Sequence, residues 1–270
     1  MSPDPEEFRV QLQERDGVGV LEWSGRAPQD VIDRAVSLAA DDGLISRGLR
    51  RIEVSLPAQD VIGRRALQRA GFRLEGTRRE AYRLADGSLI DVVLYARLHS
   101  DLVYGPGGFT GVMNSVLPRK RLIAHALITD PRERVCLLET TFKEDWELPG
   151  GIVNPSESPW AGAVREIHEE LALHIEVGRV LVIDWLAPHL GWEDAVELVF
   201  DGGSLDPRQV EAIVPDPMEV RQVHWLTPDR AADRMAPFAR GRMLSAVACR
   251  LAGSTQYLER GVPRSGPSPE

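Results

Sequence analysis

The stretch Tyr104-Gly105-Pro106-Gly107-Gly108-Phe109-Thr110-Gly111 is the densest run of turn-forming residues away from the termini. Glycine adopts backbone conformations closed to other residues, and proline donates no amide hydrogen, so such a run breaks regular structure. It divides a 270-residue chain into two halves, each of domain size. The division predicts a first domain over residues 1–104, a linker over 105–116 and a second domain over 117–260. Residues 261–270, rich in Pro, Ser and Gly, are expected to be a disordered tail.

Both halves mix strand and helix patterns, which predicts an α/β (α+β) chain. In the first, Gly17 to Trp23 reads as a strand, and Pro28 opens a helix with apolar Val31, Ile32, Ala35, Leu38 and Ala39. Ile52, Val54 and Leu56 alternate with polar residues up to Pro57. Val61, Ile62, Ala66, Leu67 and Ala70 form a second helical stripe ended by Gly71. Arg73 to Leu84 and Leu89 to Leu98 read as a hairpin around Asp86-Gly87, which completes a β-α-β-α-β-β order. In the second half, strands are expected over Arg121 to Thr129, Arg134 to Glu139, Val177 to Leu186, Ala195 to Phe200 and Val220 to Leu226. Helices are expected from about Ser158 to Ala172, from Thr227-Pro228-Asp229 onward, and over Arg240 to Leu251.

The formal charge is −9, unevenly spread. Residues 1–104 carry 15 basic and 17 acidic side chains, and residues 105–270 carry 17 and 24. An acidic second half argues against a nucleic-acid polymer as partner, because phosphate backbones need clustered Lys and Arg. It suits a site that gathers divalent cations. No run of about 18 apolar residues suggests a membrane span. The start, Met1-Ser2-Pro3-Asp4-Pro5-Glu6-Glu7, has neither the basic nor the apolar segment of a secretion signal. Cys136 and Cys249 sit among apolar neighbours and read as small core residues, so a reducing, cytoplasmic setting is expected.

The helix after Gly151 has two faces. At about 100° per residue, Trp160, Ala163, Val164, Ile167 and Leu171 share one side. Glu166, Glu169 and Glu170 share the other. Like charges one helical turn apart repel by roughly 0.2–0.5 kcal/mol. A divalent cation above them turns repulsion into attraction, and Mg²⁺ prefers such oxygen ligands together with substrate phosphates. A solvated acidic surface is the alternative reading of the spacing alone.

The upstream residues sharpen this. Gly151 is followed after five residues by Glu157, after seven more by Arg165-Glu166-Ile167, and then by Glu169-Glu170 and Ala172-Leu173. The pattern resembles the Nudix box, G-x5-E-x7-R-E-U-x-E-E-x-G-U with U apolar, departing only at Ala172, where the box has glycine. Trp146-Glu147-Leu148-Pro149-Gly150 resembles the entry to that box. The resemblance implies an α/β/α sandwich and a metal-dependent hydrolase that cleaves a small-molecule phosphoanhydride, a nucleoside diphosphate linked to another moiety, with Mg²⁺ or Mn²⁺. It implies Glu166, Glu169, Glu170 and the Gly151 carbonyl as metal ligands, and Glu166 or Glu169 as general base. Glu193, Asp194 and Glu197 are candidate bases outside the box. Glu157 and Arg165 would pair to hold loop against helix. Phe142, Trp146, Trp185, His189 and Trp192 are candidates to flank a substrate ring, with core or rim roles as the alternative. Lys143 is a candidate phosphate contact, and His125 reads as a satisfied core residue. A module that senses a nucleotide without cleaving it is a further alternative.

Residues 17–98 resemble the C-terminal part of a GNAT-type acetyltransferase. The carrying residues are Gly48-Leu49-Arg50-Arg51-Ile52-Glu53-Val54, Ala66-Leu67-Gln68-Arg69-Ala70-Gly71-Phe72, Leu74-Glu75-Gly76-Thr77-Arg78-Arg79-Glu80 and Tyr95 to Leu98. That family's earlier elements would precede Glu14. Its phosphate-cradling loop would fall at Ser24 to Gln29, where Pro28 lacks the backbone donor such a loop needs. Asp60 and Leu67 stand where an Asn and a catalytic Tyr often occur. The resemblance therefore implies a truncated, catalytically silent unit used for packing or for pairing in a homodimer. The alternative is a bifunctional protein that also binds acetyl-CoA and acetylates an amine.

Overall fold

The computed structural model describes residues 7–264 and divides into two compact units, residues 1–118 and 119–270. The first unit holds β1 (Arg9–Arg15), β2 (Val18–Ser24), α1 (Gln29–Asp41), β3 (Arg51–Pro57), α2 (Val61–Arg69), β4 (Arg73–Arg83), β5 (Leu89–Leu98) and α3 (Gly105–Val116). Its sheet runs β1-β2-β3-β5-β4, with β2 and β3 parallel and the remaining pairs antiparallel. Leu21, Ile52, Leu67, Phe72 and Tyr95 lie at its core. The two helical stripes are shifted from expectation. The face of α1 that is buried is Ile32, Val36 and Ala40, and Leu38 is exposed. In α2 Ala66 and Leu67 are buried, whereas Val61 and Ile62 face outward. Strand β1 was not expected; its alternating Val10 and Leu12 pack against the core.

The expected linker over 105–116 is a helix, α3, and belongs to the first unit. Packing overrides the glycine-rich composition. Val112 is buried, the Ser115 hydroxyl accepts a hydrogen bond from the Leu74 amide on β4 (3.0 Å), and a Cβ on Gly111 would stand 2.7 Å from the Arg73 guanidinium. Glycine here admits a close neighbour rather than a turn.

The second unit holds β6 (Arg121–Thr129), β7 (Val135–Thr140), β8 (Gly150–Ile152), α4 (Pro159–Leu171), β9 (Val180–Leu186), β10 (Ala195–Ser204), α5 (Pro207–Glu211), β11 (Val220–Leu226), α6 (Pro228–Ala232), α7 (Pro237–Ala252), β12 (Gln256–Glu259) and β13 (Val262–Pro263). The sheet runs β11-β7-β6-β10-β9-β12-β13, with β8 beside β6. Successive residues of β6 point to opposite faces. Ala124, Ala126 and Ile128 join Ile167 and Leu171 of α4 in one core. Leu127 joins Met243 and Cys249 of α7 in the other. The unit is thus an α/β/α sandwich. Cys136 and Cys249 are buried and free. Of the expected tail, Gly261 to Arg264 are ordered: Val262 and Pro263 form β13, and the Gly261 amide binds Asp184 (3.0 Å). Residues 265–270 lie outside the described residues.

Candidate active site

Local chemistry sets the limits of α4. The Ser158 hydroxyl accepts from the Ala161 amide (3.2 Å) and Pro159 occupies the first turn, where its missing donor costs nothing. At the far end Ala172 adopts a left-handed conformation (φ 54°), so alanine takes the geometry that glycine would ease. Ala163, Ile167 and Leu171 are buried as expected, but Trp160 is about half exposed, its indole N–H donating to the Val177 carbonyl (2.8 Å).

Arg165 organises the acidic face. Its Nε and Nη2 donate to the two carboxylate oxygens of Glu157, each at 2.9 Å, and Nη2 also donates to the Ile152 carbonyl (3.0 Å). Its Nη1 donates to Glu166 and to Glu169, both at 2.8 Å. Glu157 also accepts from the Asn154 amide (2.9 Å). Arg165 first, then this bond, hold its pKa down at about 2. Loop and helix are so tied. Glu166 and Glu169 are drawn toward Arg165, and among the described residues no three metal-ligating side chains yet converge to cage an ion.

Glu170 differs from its neighbours. It is buried, at 5% exposure, and accepts one hydrogen bond, from the Gly150 amide (2.8 Å). Burial pushes its pKa up to about 8, and the negative charges of Glu147, Glu166 and Glu219 push the same way against the pull of that amide. Glu166 is raised too, chiefly by burial, against the pull of Arg165. Buried carboxylates without a compensating cation are costly. This donor set fits a hard divalent cation. Glu147 and Glu219 were not singled out by any spacing. Glu147 sits within the box-like approach but Glu219 immediately precedes β11, far along the chain.

Two glycines open the helix face to a cleft. A Cβ on Gly151 would stand 2.8 Å from the Glu166 carboxylate. One on Gly150 (φ 129°) would stand 2.3 Å from the Ala124 carbonyl oxygen. The cleft, of about 690 Å³, is bordered by Glu166, Glu170, Gly150 and Gly151. Phe142, Trp146 and Trp192 border it too, whereas Trp185 and His189 do not. Trp146 is already engaged: it stacks on His224 (3.7 Å) and lies under the Arg234 guanidinium (5.1 Å). Trp192 is exposed, with Arg121 over its ring at 4.5 Å. Lys143 pairs with Glu147.

Of the three further acidic residues, Glu197 borders the cleft that Glu166 and Glu170 border, and Glu193 and Asp194 do not. Asp194 pairs with Lys120 and accepts from the Trp185 indole (3.2 Å), and it shares its turn with Glu193. Glu197 belongs to the opposite sheet face. There His125 Nδ1 and Arg242 Nε each lie 2.6 Å from its Oε1, and Arg242 continues to Asp184 (2.8 Å). Burial alone would raise the Glu197 pKa, but Arg242 and His125 outweigh it and hold it below the ordinary value, which makes it a weak base. His125 is buried and satisfied at Nδ1, yet it also borders the cleft.

Comparison with known proteins bears on this geometry. The NUDIX domain family model matches residues 119–246. A MutT-like protein of Streptomyces ambofaciens is 31% identical over 105 residues, 38% of this chain and 60% of that one. Human diphosphoinositol polyphosphate phosphohydrolase 2 is 32% identical over 66 residues, 24% of this chain and 37% of that one. The chain thus spans less than two thirds of the length of these curated relatives. Among solved structures, a MutT protein from Methanosarcina mazei is 21% identical with a TM-score of 0.42, covering 51% of this chain and 98% of that one. A ribosomal-protein-S5-alanine acetyltransferase from Vibrio fischeri is 20% identical with a TM-score of 0.32, covering 34% of this chain and 54% of that one. Residues 119–246, with the helix that carries Arg165 to Glu170, form a Nudix domain.

Proposed function

We propose that the second unit hydrolyses the pyrophosphate bond of a nucleoside diphosphate linked to another moiety, with Mg²⁺ or Mn²⁺. The observation that carries this reading is Glu170: a buried carboxylate, crowded by Glu147, Glu166 and Glu219, bordering a cleft at two glycines. Glu166, Glu169, Glu170 and the Gly151 carbonyl would hold the cation. When bound, the cation supplies charge neutralisation for the phosphates and a lowered pKa for attacking water. The chain's own contribution is placement. Arg165 and Glu157 fix the loop against α4, and Glu166 or Glu169 takes a proton from water. The narrow glycine strand lets the phosphates approach the carboxylates.

The first unit is read as non-catalytic. Pro28, the residue before α1, offers no backbone donor to a cofactor phosphate. Its outer strands β1 and β4 suit pairing with a second copy of the chain. Among the described residues no helix is long and apolar enough to cross a membrane. The two buried free cysteines suit a reducing, cytoplasmic compartment.

The test is phosphate detection across nucleoside diphosphate derivatives with Mg²⁺ and with Mn²⁺. Glu169→Gln and Glu170→Gln are each expected to abolish turnover while thermal melting stays cooperative. Unaltered turnover in both variants would refute the proposal.

A further inference from the structure

The face of the sheet beneath α7 carries a row of buried charge that the proposed reaction does not use. Asp184 on β9 and Glu197 on β10 are cross-strand neighbours, and His125 stands on β6. Arg242 reaches both carboxylates from α7. All four side chains are more than nine-tenths buried. Three of them, His125, Glu197 and Arg242, nevertheless border the cleft. Both partners of Glu197 meet the same oxygen, Oε1, and among the described residues no hydrogen bond reaches Oε2. Glu197 thus borders the cleft with one carboxylate oxygen that these two partners leave unoccupied.

We propose that Glu197 is the specificity-determining residue of this cleft, and that it selects substrates whose non-phosphate half is a flat heteroaromatic ring bearing an exocyclic amino group. This inference rests on the cleft being the substrate site of the proposed hydrolase. A carboxylate flanked by Arg242 and His125 accepts hydrogen bonds and donates none. It therefore matches an amino N–H and repels a carbonyl oxygen in the same place. The flanking surfaces agree. Trp192 and Phe238 border the cleft and offer apolar area to a ring.

The charge of the lining excludes a ring dense in phosphates. Six carboxylates border the cleft against Arg121, Lys143 and Arg242. Arg242 is committed to Asp184 and Glu197, and Lys143 to Glu147. Arg121 lies over Trp192 and donates to the Glu193 carbonyl (3.1 Å). Among the described residues of the lining no cluster of uncommitted cations remains for a polyphosphorylated ring, which needs several.

The experiment is isothermal titration of the full chain with Mg²⁺ against two ligand pairs, CMP with UMP and AMP with IMP. Each pair exchanges an amino group for a carbonyl, and monophosphates contain no phosphoanhydride to cleave. The amino member of at least one pair is expected to bind about tenfold or more tighter, the scale of one charge-assisted hydrogen bond. In Glu197→Gln, whose amide both donates and accepts, that preference should shrink to about threefold or less. Should Glu197→Gln fail to fold, Glu197→Asp keeps the charge but withdraws the carboxylate by one methylene. It should weaken the amino ligand by about tenfold and leave its partner little changed. Equal binding within both pairs, no binding of any of the four, or an unaltered preference in a folded variant would overturn the proposal. Hydrolysis is read separately. Turnover without a pair preference sinks this inference and spares the reaction; a pair preference without turnover does the reverse.

Discussion

Adjacent glycines in β8 make opposite demands, and alanine separates them. At Gly151 the backbone conformation is open to any residue, and the nearest obstacle to a Cβ is the Glu166 carboxylate carbon at 2.8 Å. Carbon atoms rest at about 3.5–4.0 Å, so the carboxylate must retreat by roughly 0.7–1.2 Å. It ends a flexible side chain and does so cheaply. Stability should change by no more than about 0.5 kcal/mol. A displacement of about 1 Å in a catalytic group costs on the order of 10²-fold in rate, or about 2.7 kcal/mol of barrier. Gly150→Ala meets a different obstacle. Its φ of 129° is closed to alanine, and the Ala124 oxygen at 2.3 Å belongs to the backbone. Strain of about 1–3 kcal/mol adds to the clash, and the melting temperature should fall by roughly 2–12 °C or more. Calorimetry and a phosphate-release assay at saturating Mg²⁺ read the two effects apart. If Gly151→Ala melted as early as Gly150→Ala, or turned over at the unaltered rate, the role given to this strand would be wrong.

Two further outcomes follow from the carboxylates. Glu170 has a folded pKa of about 8, above its ordinary value, so the metal-free chain should lose stability as pH rises from near 4.5 through about 8; urea titrations of Glu170→Gln should lack that slope. Glu157 is the reverse case, held at about 2 by Arg165, so its stabilisation is present above its ordinary pKa and lost as pH falls toward 2; Glu157→Gln should flatten the acid limb of a stability profile and lower kcat by freeing the loop from α4.

What was legible in the sequence is what depends on near neighbours. Ser158, Pro159 and the spacing of Ala163, Ile167 and Leu171 mark α4 because capping and helical periodicity act within a few residues. The Asp86-Gly87 hairpin is local for the same reason. The segment 105–116 is a helix rather than a linker because Gly111, Val112 and Ser115 serve packing and bonding within the first unit, Gly111 and Ser115 against β4, which no window along the chain contains. Strand β8 is three residues long and exists only because β6 offers it partners. The crowding of Glu170 by Glu147 and Glu219 joins different elements, as does the contact of Glu197 with Arg242. Spacing therefore points to the chemistry of one helix. The walls of the cleft come from tertiary structure.

Strands β6 and β7 pair with each other at a single position, Thr129 with Val135. Beyond it, residues 147–152 lie wedged between them as a rung of the sheet. Leu138 and Glu147 exchange two backbone hydrogen bonds (2.8 and 3.1 Å), the Ala126 amide donates to the Pro149 carbonyl (2.9 Å), and β8 pairs with β6. A residue inserted or deleted within this rung would turn every following side chain to the wrong face. Residues 141–145, by contrast, connect the rung to β7 without belonging to it. A change of chain length at residues 141–145 would thus fall on the cleft rim beside Phe142 and Lys143, where it can change what the cleft admits without moving the glycines.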